Sequence, residues 1–299
     1  MYKIYIILTI VFAPCTAIQA ETVTKSVPLS VNITRIYLNG DSELNLSQGD
    51  DEYVRLTTEA DRIPGIEARV KGKALYLGRE VNWQNDTPQH NTTPPRFDVQ
   101  LKQIDAVRVI GSGHAHISDL VTGRLRIIIA GSGEAKAGLL RSPDFSLEMA
   151  GSGEFEGTSV EAPVVAVKLS GSGKAKISRL KTDRIKINIA GSGDVSLSDV
   201  TAGVIDSEIA GSADIDLRGQ TGRQELVVSG SGDYKAEGLS SDVAYVEIRG
   251  SGSARLNVRQ QLTAELTRGA DLVYQGGPDL AVDISGKGKY RRTDTITGD

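Results

Sequence analysis

The sequence predicts an all-β chain wound as a single-stranded-rung parallel β-helix, a β-solenoid of about ten rungs with an N-terminal capping region. Three observations predict it. A Gly-Ser-Gly corner, or a close variant, begins at Gly111, Gly131, Gly151, Gly171, Gly191, Gly211, Gly230 and Gly250, in steps of nineteen or twenty residues. Apolar residues alternate with polar ones on both sides of each corner, the pattern of strands that bury one face. Composition agrees: 33 glycines and only 5% aromatic residues leave Val, Ile and Leu to build any core as aliphatic stacks.

At the N-terminus, Lys3 followed by the apolar Tyr5 to Ala13 and the small-residue exit Pro14 to Ala20 reads as an export signal over residues 1–20. The mature chain, 21–299, is then expected to be one β-solenoid domain in the periplasm or at the cell surface. Cys15, the only cysteine, lies inside this signal, so the mature chain has neither a disulfide nor a thiol nucleophile. Lipid anchoring through Cys15 is disfavoured because Pro14 stands where lipoprotein signals place a small residue. No later segment approaches the roughly 20 apolar residues of a transmembrane helix.

Residues 21–105 are less regular and are expected to supply strands and the cap. Ile36-Tyr37-Leu38-Asn39-Gly40 followed by Leu44 and Leu46 fits the corner pattern, and Tyr53–Leu56 and Leu75–Leu77 read as further strands. A terminal rung needs a cover because its unpaired backbone would otherwise template aggregation. Between them, 79–95 is rich in Asn, Gln, Thr and Pro and reads as a surface loop, with Trp83 tucked against the rod.

Residues 106–292 hold the regular rungs. Before each corner lie Val107/Val109, Ile127/Ile129, Leu147/Met149, Val167/Leu169, Ile187/Ile189, Leu226/Val228 and Val246/Ile248, and after it Ala115/Ile117, Ala175/Ile177, Val195/Leu197 and Ile215/Leu217. Stacked about 4.8 Å apart, these positions form continuous interior columns. The crossover preference of parallel sheets implies a right-handed coil. The glycines let the chain turn and let rungs approach, while the serines are expected to hydrogen-bond along the stack. Arg268-Gly269-Ala270-Asp271 and Gly286-Lys287-Gly288 are degenerate corners, and 293–299 is a tail.

The residues quoted from Ile36 to Gly40, Leu46-Ser47-Gln48-Gly49-Asp50, Arg96-Phe97-Asp98-Val99 and the run Val107 to Gly113, followed by the corner array, resemble the bacterial family called putative auto-transporter adhesin, head GIN domain. The resemblance spans about Ser30 to Tyr290. It implies a secreted or surface-attached β-solenoid and brings neither an enzyme activity nor catalytic residues, so no site residue is carried over.

Chemistry-bearing residues are few. A net charge of −4 with interspersed signs argues against nucleic acid. The repeated serines occupy one equivalent position eight times, unlike a unique nucleophile, and the corners sit between strands instead of opening a helix, unlike a dinucleotide fingerprint. His114 and His116 point outward from one strand and read as an ordinary solvated face, the alternative being a metal site with Asp119 as the nearest third donor. Asp194, Asp214 and Asp233 occupy equivalent positions in three rungs with Asp216 beside them, a column that a hard divalent cation such as calcium could bridge or that Lys235 could screen. The function these features favour is a non-catalytic cell-envelope module presenting polar faces to a glycan or protein partner, with self-association left open. The alternative is a carbohydrate-active hydrolase or lyase on a β-helix scaffold, which would need convergent acids and bases in a groove.

Overall fold

The computed structural model describes residues 22–29, 32–79 and 93–293. They form a parallel β-solenoid of about nine turns. The export signal, Trp83 and the tail beyond Thr293 lie outside the described residues.

Nine strands build the first rungs and their cover: β1 Thr22–Pro28, β2 Arg35–Gly40, β3 Glu43–Gln48, β4 Tyr53–Glu59, β5 Ile66–Lys71, β6 Ala74–Arg79, β7 Arg96–Leu101, β8 Ala106–Gly111 and β9 His114–Ile117. They do not stack in chain order. β2 lies between β6 and β8, parallel to both, and β3 lies between β7 and β9. The chain lays down β2–β3, runs outward, and returns beneath them with β6 and β7 before continuing upward through β8. Antiparallel β5 then closes β6, and antiparallel β4 with β1 closes β7. This end of the rod is therefore covered by strands of opposite direction, which stops parallel stacking from continuing past it.

From β8 upward each turn registers on the one below. Ile127 pairs with Val107 and Leu147, Leu147 with Val167, and Val167 with Ile187. All of these are buried, and a single apolar cluster runs from Ile33 to Tyr274. Shape is adjusted locally: Phe155 stands between Ala135 and Ala175 in its column, and Gly157 makes the room, because a Cβ there would lie 3.1 Å from the Phe155 ring. The nineteen-residue step between Gly211 and Gly230 is absorbed where Gly219 pairs with Val200 after a register shift.

The corners show why glycine recurs. Gly151 has φ +117°, and a Cβ on it would meet the Gly131 carbonyl oxygen at 2.4 Å. Where the column reaches Arg268, the arginine itself adopts φ 58°, the one non-glycine residue described with positive φ. The serine contributes differently from the sequence expectation. Its backbone amide makes the inter-rung bond, Ser152 N donating to Gly131 O at 2.9 Å and Ser172 N to Gly151 O at 2.9 Å, while the side chains face solvent. Amides are bound to form this ladder by their fixed direction in the corner, whereas a hydroxyl at the outer vertex gains as much from water.

Candidate functional site

Period two along each strand sends every second residue outward, and stacking converts each outward position into a ladder across rungs. On the face that follows the corner, one ladder reads His114, Glu134, Glu154, Lys174, Asp194, Asp214, Asp233 and Ser253. The neighbouring ladder reads His116, Lys136, Glu156, Lys176, Ser196, Asp216 and Lys235.

The acidic stretch is brought together as the sequence predicts, and each member has a partner. Lys235 Nζ lies 2.9 Å from Asp214 Oδ2, and Lys174 Nζ lies 3.8 Å from Asp194 Oδ2. Ser253 Oγ donates to Asp233 Oδ1 at 2.6 Å, and Arg218 donates from Nε and from a terminal nitrogen to Asp216, both at 3.3 Å. Like charges about one strand spacing apart are tolerable when each is neutralised this way. The hydrogen bond to Asp214 raises the Lys235 pKa, as that to Asp216 raises Arg218.

His114 and His116 both point outward, with His114 Nδ1 3.6 Å from Glu134 Oε2. The expected third donor is engaged elsewhere. Asp119 Oδ1 accepts the Leu139 amide at 2.7 Å, beside Gly138 in the strand Glu134–Arg141, where a Cβ would strike that same oxygen. Among the described residues no three His, Cys, Asp or Glu side chains gather closely enough to hold a metal.

Beside the second ladder the surface dips over Gly157, in a depression of about 220 Å³ lined by Lys136, Glu156, Thr158, Lys176 and Ser178. Here charge alternates along the ladder. Lys136 Nζ reaches Glu134 at 2.6 Å and Glu156 at 3.9 Å, and Lys176 Nζ reaches Glu156 at 3.9 Å. The hydrogen bond to Glu134 raises the Lys136 pKa. A second depression of about 490 Å³ lies along another edge, lined by Arg141, Glu161, Pro163, Lys181, Thr182 and Asp183. Both are shallow, and each mixes cations with acids.

Two features escape the sequence reading. Tyr37 and Tyr76 stack outward with ring centroids 4.6 Å apart, flanked by Arg69 and Arg108, each 5.5 Å from the nearer ring. The parity of Tyr37 between Ile36 and Leu38 signals its outward direction, but nothing in chain order places β6 beneath β2. The second lies inside the rod. Ser207, Gln224, Tyr234 and Ser241 are buried, and Ser207 and Gln224 sit where the rungs on both sides carry apolar residues. Tyr234 Oη donates to Gln224 Oε1 at 3.1 Å, Gln224 Nε2 to Ser241 Oγ at 2.7 Å, and Ser241 Oγ to the Asn257 carbonyl at 3.1 Å. Burial pushes the Tyr234 pKa up. Ser207 lies beside the phenol without reaching hydrogen-bond geometry. The signal existed, since Ser207 breaks the column of Ile187 and Leu226, and Gln224 breaks that of Ile205 and Ala244.

Comparison with known proteins places this architecture. Curated proteins give no match. Among solved structures, a protein described as a putative lipid binding protein from Parabacteroides distasonis ATCC 8503 is similar at 17% identity and TM-score 0.60, covering 91% of this chain and 97% of its own. A putative adhesin from the same organism is similar at 17% identity and TM-score 0.54, covering 92% and 98%. At that identity the likeness is one of fold. A family profile matches residues 32–201 and again 163–278, and on that match the chain belongs to the family described as putative auto-transporter adhesin, head GIN domain.

Proposed function

We propose that the protein is an exported, non-catalytic binding module of the cell envelope, engaging a glycan or a protein through the polar ladders of its rod. One observation carries the reading: the outward charges are spread across rungs and neutralised pairwise, Lys136 and Lys176 about Glu156, and Lys235 on Asp214. Such a surface offers many weak, addressable contacts over a long flat area, which suits an extended or broad partner. Acids held by cations in this way suit recognition more than bond cleavage. Membership in a family described as adhesin supports a binding role. Among the described residues no helix is long and apolar enough to cross a membrane.

The test is a glycan array and a pull-down from fractionated envelopes using the chain from residue 21, beside a variant carrying Lys136→Glu and Lys176→Glu. Retention of a defined glycan or a single envelope protein, weakened at least tenfold by the variant, is expected. Retention from no fraction would overturn the reading, and so would release of reducing sugar or unsaturated products from a polysaccharide.

A further inference from the structure

The two ends of the rod differ. The N-terminal end is covered by antiparallel strands, but at the far end the last described strands, Asp279–Gly286 and Lys289–Arg292, are each paired on one side only among the described residues. Leu280, Val282 and Ile284 continue the columns of Leu262, Ala264 and Leu266, and Tyr290 continues that of Leu272. The lower members are buried, whereas Leu280, Ile284 and Tyr290 are 40%, 38% and 45% exposed.

The charges on these two strands are segregated. Asp279 and Asp283 are the charged residues of the first, and Lys289, Arg291 and Arg292 those of the second. Among the described residues none of the five forms an ion pair within the chain, in contrast to the neutralised ladders below.

We propose that this end docks a second copy of the chain, tail to tail, about a twofold axis through the corner Gly286-Lys287-Gly288. One strand runs into that corner and the other runs out of it. Rotation about the corner therefore lays the acidic strand of one copy antiparallel on the basic strand of the other. Equal offsets from Lys287 set Ser285 opposite Lys289, Ile284 opposite Tyr290, and Asp283 opposite Arg291 of the second copy. Parity is preserved: Ile284 and Tyr290 both face inward, while Asp283 and Arg291 both face outward. The apolar column ends then meet each other, the free backbone edges pair, and opposite charges fall side by side. Lys287 meets its own copy on the axis, where it is exposed and can turn into solvent. A second copy is favoured over another partner because the pattern is complementary to itself under one rotation, the condition for an isologous interface. The covered opposite end closes the assembly at two and prevents a fibre.

The experiment is sedimentation equilibrium of the exported chain, with solution scattering for shape. A species of twice the monomer mass and about twice the rod length is expected. Asp283→Arg alone and Arg291→Asp alone should each return it to monomer mass, and the double exchange should restore the dimer. That rescue separates a lost contact from a misfolded variant. A monomer at all concentrations would overturn the proposal, as would a dimer indifferent to both exchanges or a dimer that forms only after residues 294–299 are removed. The last outcome would assign the end to the chain's own tail. Glycan retention is read separately, so failure of the dimer leaves the binding proposal standing.

Discussion

The buried chain of hydrogen bonds from Tyr234 through Gln224 and Ser241 to the Asn257 carbonyl gives a prediction that can be worked through in free energy. Tyr234→Phe removes the donor and leaves Gln224 Oε1 buried without a partner, since Gln224 is 1% exposed. A stranded buried acceptor costs about 1–3 kcal/mol. Gln224→Leu removes the phenol's acceptor and the donor to Ser241, and should cost a similar amount by stranding the Tyr234 hydroxyl. The double variant leaves Ser241 still bonded to the Asn257 carbonyl and fills the column with the apolar residue its neighbours carry. It should therefore cost less than the two single changes together, by about 1–3 kcal/mol of coupling. Urea unfolding followed by circular dichroism on all four proteins, with equal slopes as the condition for comparison, measures this. Additivity of the two changes within about 0.5 kcal/mol would refute the argument.

The same phenol predicts behaviour in alkali. Burial raises the Tyr234 pKa above its ordinary value of about 10, so the neutral form is the one the fold holds. Stability from this group is complete below about pH 10 and falls by about 1.4 kcal/mol per pH unit above it, until the folded pKa is reached. Tyr234→Phe should flatten the alkaline limb by one proton, and an unchanged limb would place the phenol in water.

Further predictions concern the corners, the turns and the ladders. Gly151→Ala forces a Cβ toward the Gly131 carbonyl at φ +117° and should cost about 2–5 kcal/mol, from left-handed strain and overpacking together. Gly123→Ala, with open space and ordinary φ, should be neutral or stabilise by up to about 1 kcal/mol, and the two melting curves measure the difference. Lys235→Met leaves Asp214 unneutralised and should cost about 0.2–1 kcal/mol at low ionic strength, the gap to the parent closing in salt. Asp119→Ala frees the Leu139 amide and should cost about 0.5–1.5 kcal/mol, with local amide exchange rising at Leu139.

The rungs were legible because each corner states its constraint inside three residues, and because a period of two fixes which side chains enter the rod. Ile127, Leu147, Val167 and Ile187 stack as that period requires. The N-terminal order was not legible. Returning β6 and β7 beneath β2 and β3 is a choice between two free edges, and local residues are compatible with either. The acidic column was placed by counting, but its partners were not all within reach of counting. Lys174 and Ser253 act on Asp194 and Asp233 from neighbouring rungs, where side-chain direction decides the contact. Asp119 shows the opposite case, since the residue named as the nearest third donor for a metal accepts an amide of the next rung.

These outcomes share a physical cause. Inward positions are coupled to two neighbours in the same column, so a wrong residue there creates a cavity or strands a polar atom, as Gln224 would without Tyr234 and Ser241. Outward positions carry no such coupling beyond weak cross-rung charge pairs. A surface site on this rod therefore draws one residue from each rung, about twenty positions apart in the chain, and leaves no contiguous motif. Lys136, Glu156 and Lys176 form such a trio across three rungs, adjacent in space and unrelated in local sequence. Recognition by a solenoid of this kind is written across the columns, so the exchange of charge at Lys136 and Lys176 should alter binding while leaving the unfolding curve nearly unmoved.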